Sequence, residues 1–113
     1  MNLELTLGES TLKLGEAGRS AVIGRGKKCT LRVVDPKLLV SASHVMLEYN
    51  AGRWFVQDIS RNGTWIRDAK SGEVAKLPKG KAASLPPEGA FCLGRAFDQD
   101  VAGAFTVAFK LAE

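Results

Sequence analysis

The apolar residues of this chain recur in steps of two, in short runs that break off at Gly, Pro, Asn or Asp. LELTL at 3–7 and TLKL at 11–14 alternate apolar and polar. SAVIG at 20–24 is a short apolar run ending in glycine, and TLRVV at 30–34 alternates before turning apolar. HVMLEYN at 44–50 and RWFVQDI at 53–59 are separated by Ala51-Gly52, a hairpin signal. TWI at 64–66 follows a turn at Arg61-Asn62-Gly63, and AASL at 82–85, AFCL at 90–93 and FTVAF at 105–109 complete the series. A strand sends successive side chains to opposite faces, so this alternation describes strands with one buried face. No window sustains the i, i+3, i+4, i+7 pattern of an amphipathic helix. Short strands at roughly 8–12-residue spacing predict an all-β sandwich or barrel. Two stretches read as long loops: 35–39, where Pro36 stops any strand, and 67–81, with two glycines, a proline and five basic residues.

With 113 residues, no internal repeat and no linker-like tract, the chain reads as one domain over 1–113. The 45% hydrophobic and 25% charged content fits a globular protein and excludes the disordered class. A net charge of +4 favours acidic partners without choosing among phosphate, nucleic acid and anionic lipid. MNLELTLGES does not read as a secretory signal, and no apolar run approaches the ~18 residues of a membrane span. Membrane insertion is therefore not expected. Cys29 and Cys92 stand far apart and His44 is the only histidine, which is too few ligands for a zinc site. Free thiols, buried or half-buried, in a reducing cytoplasmic setting are expected. No cofactor or metal is expected.

Three stretches carry polar residues where strands should turn: Ile23-Gly24-Arg25, Ser41-Ala42-Ser43-His44, and Ser60-Arg61-Asn62-Gly63-Thr64. Glycine allows a sharp change of direction, and the arginine after it extends a planar fork that matches two oxygens of a phosphate or carboxylate. A solvated turn is the plain alternative. GRGKK at 24–28 invites a P-loop reading but fails on spacing: no glycine lies five residues before Gly26, and Lys28 stands where Ser or Thr is required. Ser43 beside His44 raises nucleophilic catalysis, but adjacent residues of an extended segment point to opposite faces, and no G-x-S-x-G elbow exists. No enzyme activity is expected. Asn62-Gly63 is a strong turn signal, and an asparagine amide also offers a donor and an acceptor to an extended peptide backbone. Trp54 and Trp65 read as core or half-core residues.

Taken in order, Gly24-Arg25, Ser41-x-x-His44 and Asn62-Gly63-Thr64-Trp65 resemble the forkhead-associated (FHA) domain. The surrounding CTLRVVD, VSASHVMLEY and GRWFVQDISRNGTWI are similar to that family as well. The likeness is sharp over 22–66 and looser over 77–109, where Leu85 to Leu93-Gly94 resembles the family's final hairpin region.

The resemblance implies a twisted β-sandwich of about eleven mostly antiparallel strands, FHA/SMAD-like, with recognition loops at one end. It implies a phosphothreonine-binding module for a partner protein or peptide, acting in signalling downstream of a Ser/Thr kinase. Carried over, Arg25 and Ser41 bind the phosphate, with charge added by Arg61, and Asn62 grips the peptide backbone. Gly24 and His44 hold the loops, and Gly63 permits the turn. Ala42 departs from the family, which often has a polar or basic residue there, and Arg61 stands where serine or threonine is frequent. The Arg67-Asp68 dipeptide replaces a frequent Asn-Gly. An alternative is an FHA-like scaffold of a bacterial secretion or envelope assembly without phosphate recognition. A basic nucleic-acid-binding β-domain would need aromatics interleaved with basic residues on one exposed face; the aromatics here mostly alternate with polar residues, as core positions do, so nucleic acid is not the expected partner.

Overall fold

A computed structural model describes residues 1–16 and 20–112. Among these residues the chain forms β1 (Asn2–Leu7), β2 (Ser10–Leu14), β3 (Ser20–Gly24), β4 (Leu31–Arg32), β5 (Val45–Asn50), β6 (Arg53–Asp58), β7 (Thr64–Asp68), β8 (Val74–Lys76), β9 (Ala82–Ser84), β10 (Glu88–Leu93) and β11 (Thr106–Ala112). The one helical piece among them is a 3₁₀ turn at Phe97–Gln99. None of their helices is long and apolar enough to cross a membrane.

The strands build two sheets in the orders β2-β1-β11-β10-β7-β8 and β4-β3-β5-β6-β9. Every pairing is antiparallel except β3 with β4. This is the eleven-strand sandwich that the resemblance implies. The period of two places its core: Leu3 and Leu5, Ala21 and Ile23, Val45 and Leu47, Trp54 and Val56, Phe91 and Leu93, and Val107 and Phe109 are all buried between the sheets. Each fully buried large side chain contributes about 1.5–3 kcal/mol. Phe91 and Phe109 stack at 4.7 Å between ring centroids. Trp54 is buried and donates its indole N–H to the Met1 carbonyl at 3.0 Å, whereas Trp65 is half-buried under the Lys76 ammonium.

The run at 90–93 is apolar without alternation because both of its faces are covered. Phe91 and Leu93 face the core. Cys92 is buried beside Asp100 and Thr106, whose side chains approach its sulfur. Both cysteines are free thiols, Cys29 half-buried and Cys92 buried. Burial pushes the Cys92 thiol up.

The Ala51-Gly52 turn has φ of 52° and 80°. Both angles are left-handed, as the tight hairpins that match strand twist require. Two sequence expectations are corrected. The run at 30–34 pairs only at Leu31–Arg32: Val33 turns inward, its N–H bound to the Gly24 carbonyl, and Val34 is 71% exposed. The stretch 67–81 is not all loop, since β7 runs to Asp68 and β8 pairs beside it on the sheet edge. All three β8 residues are exposed, so no apolar alternation marked the strand.

Candidate functional site

The loops after β3, before β5 and after β6 meet at one end of the sandwich, held by backbone bonds that leave little freedom. Gly24 ends β3, and the N–H groups of Arg25 and Gly26 bond the Ser41 and Ala42 carbonyls at 2.9 and 3.0 Å. A Cβ on Gly24 would lie 2.4 Å from the Ala42 carbonyl oxygen. The glycine is therefore needed for close approach of two backbones.

His44 locks the second and third loops together. It is fully buried. Its Nδ1 accepts the Ser41 N–H at 3.0 Å, which leaves the proton on Nε2 to be donated to the Gly63 carbonyl at 2.9 Å. Burial pushes its pKa down, more than the Gly63 bond and the nearby Asp58 charge pull it up. The ring is thus a neutral strut. Gly63 takes a φ of 96°, in the left-handed region that side chains rarely adopt.

Beneath that turn, Asp58 Oδ1 accepts the Ser60 N–H, the Ser60 hydroxyl and the Thr64 hydroxyl. Ser60 Oγ in turn accepts the Gly63 N–H at 2.8 Å. The Asp-x-Ser-x-x-Gly-Thr run therefore folds around one carboxylate oxygen, which aims residues 61 and 62 outward.

Asp35 does the same for the loop before β5. Its carboxylate accepts the N–H groups of Lys37, Leu39 and Val40 and pairs with the buried Arg95 guanidinium. Burial alone raises a carboxyl, but the Val40 bond, Arg95 and the Lys37 bond outweigh it and hold Asp35 below the usual range. Arg95 also lies over the Phe105 ring at 3.5 Å, a cation–π contact that anchors the pair.

On this scaffold Arg25, Ser41, Arg61 and Asn62 line one cleft of about 280 Å³, together with Leu38 and Ala42. Arg25 Nε donates to the Val40 carbonyl at 2.8 Å, which aims the guanidinium and leaves its terminal nitrogens facing the cleft without a partner among the described residues. Ser41 Oγ accepts the Arg61 N–H at 2.9 Å and keeps its own proton to donate. Asn62 spends one amide N–H on the Leu39 carbonyl, at 2.9 Å, and keeps its carbonyl oxygen and a second N–H. Lys79 bonds the Arg61 carbonyl from below. Gly24, His44 and Gly63 lie behind these loops.

Sequence reasoning missed three contributors. Leu38 stands in the cleft at φ 58° and 61% exposed, and nothing in the local sequence marks a leucine for that position. Asp35 and Arg95 lie sixty residues apart, and only the fold joins them.

The family model for the FHA domain matches residues 21–82. No curated protein matches the chain. Among solved structures, FHA-1 of Mycobacterium tuberculosis Rv1747 is 21% identical, over 99% of this chain and 97% of that one, with a TM-score of 0.75. The FHA domain of human APLF, solved in complex with an XRCC1 bisphospho peptide, is 21% identical over 99% and 100%, with a TM-score of 0.72. The MEK1 FHA domain, solved with a phosphothreonine peptide of HOP1, is 19% identical over 98% and 97%, again with a TM-score of 0.72. At such identities the shared property is the fold. The family match, in contrast, spans more than half of the 113 residues, and by it the chain belongs to the FHA domain family.

Proposed function

We propose that this domain, over 1–113, docks a phosphothreonine-bearing segment of another protein and catalyses no reaction itself. The observation that carries the reading is the convergence of Arg25, Ser41, Arg61 and Asn62, from three separate loops, on one cleft. Phosphorylation adds about −1.5 to −2 charge and three strong acceptors. Arg25 offers a charged fork, Ser41 a hydroxyl proton and Arg61 a second guanidinium. Charge-assisted bonds of this kind contribute roughly 1.5–3 kcal/mol each. Asn62 meets the peptide backbone with its remaining donor and acceptor, and Leu38 gives the threonine methyl an apolar wall. The phosphopeptides bound to the APLF and MEK1 domains support the same ligand class. A Ser/Thr kinase would create the ligand, and a reducing cytoplasmic setting suits the two free thiols.

The test is titration with a degenerate phosphothreonine peptide library, then with one selected sequence in its phosphothreonine, phosphoserine and unmodified forms. The unmodified peptide is expected not to bind. The phosphoserine form is expected to bind about 1–3 kcal/mol more weakly, for the lost methyl contact. Arg25→Ala is expected to abolish binding while circular dichroism stays unchanged. Equal affinity for modified and unmodified peptides would instead favour a scaffold that has lost phosphate recognition.

A further inference from the structure

The turn from Ser60 to Gly63 presents Arg61 and Asn62 to the cleft, and its two ends are fixed. The Arg61 N–H bonds Ser41 Oγ at 2.9 Å, the Gly63 N–H bonds Ser60 Oγ at 2.8 Å, and the Gly63 carbonyl accepts the His44 ring N–H at 2.9 Å. Between these anchors lies the Arg61–Asn62 peptide. A peptide held only at its neighbours can still swivel, because ψ of the residue before it and φ of the residue after it are soft. The Asn62 N–H has no partner among the described residues. The Arg61 carbonyl has one there, the Lys79 ammonium at 3.0 Å. Among the described residues, Lys79 therefore supplies the single hydrogen bond that fixes this plane.

The lysine comes from the segment that crosses from β8, on the edge of one sheet, to β9, on the edge of the other. That segment is anchored on both sides of Lys79. Leu77 is buried and its N–H bonds the Thr64 carbonyl at 2.9 Å, while the Gly80 N–H bonds the Asp58 carbonyl at 2.9 Å. Lys79 itself forms a backbone bridge with Asp58. Pro78 restricts the chain just before it, and Gly80, at φ 73°, turns the chain just after. Pro78-Lys79-Gly80 thus delivers the ammonium under the turn from a backbone already in place. An ammonium on a carbonyl is a charge-assisted bond, roughly twice as strong as a neutral one. In a planar peptide the N–H lies trans to the carbonyl, so the Asn62 N–H points away from Lys79. The Lys79 side chain is exposed, so no part of the core depends on it.

We propose that Lys79 is a positioning residue of the cleft. By holding the Arg61–Asn62 peptide it sets the direction in which Arg61 and Asn62 leave the turn, without itself touching the ligand. The proposal rests on the phosphothreonine reading of that cleft.

The test pairs NMR spectra of the free domain with calorimetric titration of a phosphothreonine peptide selected from the degenerate library. Lys79→Met keeps the apolar stem and removes the ammonium, whereas Lys79→Arg keeps a charge and its donors. In Lys79→Met the amide signals of Arg61, Asn62 and Gly63 are expected to shift while those of the core strands stay, and affinity is expected to fall about 5-fold. Lys79→Arg should restore those signals and bring affinity within about 2-fold of the wild type. The loss in Lys79→Met should persist in about 0.5 M salt, which screens exposed charges more than about 4 Å apart. A loss that vanishes in salt is attraction at a distance and overturns the proposal. Unchanged affinity in Lys79→Met, no rescue by arginine, or signals that shift throughout the fold also overturn it, and in these cases the phosphothreonine reading stands. A wild-type domain that binds none of the library peptides overturns that reading, and this role of Lys79 with it.

Discussion

Ser41 serves two loops at once. Its hydroxyl oxygen takes the Arg61 N–H, and its proton remains for a ligand. Ser41→Ala should weaken phosphopeptide binding by about 1–3 kcal/mol, through the lost donor and the Arg61 N–H left unpaired. Titration checks this, and an unchanged Kd would show that Ser41 does not face the phosphate. Gly24 is a different case, because its role is space. Gly24→Ala puts a methyl group 2.4 Å from the Ala42 carbonyl oxygen and should cost about 1–3 kcal/mol of stability as the two backbones part. A urea midpoint equal to that of the wild type would refute the close-approach argument. Both residues were legible in the sequence because each sits where an apolar run breaks. Leu38 was not, since exposure of a leucine depends on what the fold fails to put over it.

At the scale of elements, the loop before β5 shows what local reading can and cannot reach. Pro36 marked it as a loop, correctly, but what gives the loop one shape is the Asp35 carboxylate and its buried partner Arg95. Removing one member of a buried ion pair leaves the other charge uncompensated. Asp35→Asn is therefore expected to lower unfolding free energy by about 3–5 kcal/mol and to weaken peptide binding with it, as the segment bearing Val40 and Ser41 loosens. Chemical denaturation and titration of the same variant measure both effects, and binding untouched by the substitution would separate the loop from the site. Strand β8 marks the opposite limit. It is a paired strand with three exposed residues, so backbone pairing with β7 makes it while its side chains carry no signature.

For the whole molecule, the buried polar groups set a pH window. His44 is buried neutral with its pKa below the ordinary 6.5. Between the two values the unfolded chain holds the extra proton, so stability is full above about pH 6.5 and falls as pH drops toward the folded value. Asp35 adds a second loss in stronger acid. Its carboxyl is lowered from 3.8, so its contribution is present above that value and disappears as pH falls through the folded one. Urea midpoints are expected to decline from about pH 7 to pH 5, with a smaller decline in His44→Gln, which cannot titrate. An identical decline in that variant would remove His44 as the source.

The order of runs and turns marked an all-β sandwich or barrel before any coordinates, because side-chain alternation is a local property and each run carries its own buried face. The motifs at Gly24-Arg25, Ser41 to His44 and Asn62-Gly63 likewise marked the loop ends, since glycine and asparagine have conformational preferences of their own. Which charges are spent and which are left free was decided only by tertiary structure. Arg95 disappears into a pair with Asp35, while Arg25 keeps its terminal nitrogens free and Lys27 and Lys28 go unpaired. Composition counts all of these as equal positive charges. Burial and partners, which depend on residues far apart in the chain, divide them into buried struts and charges left free at the surface.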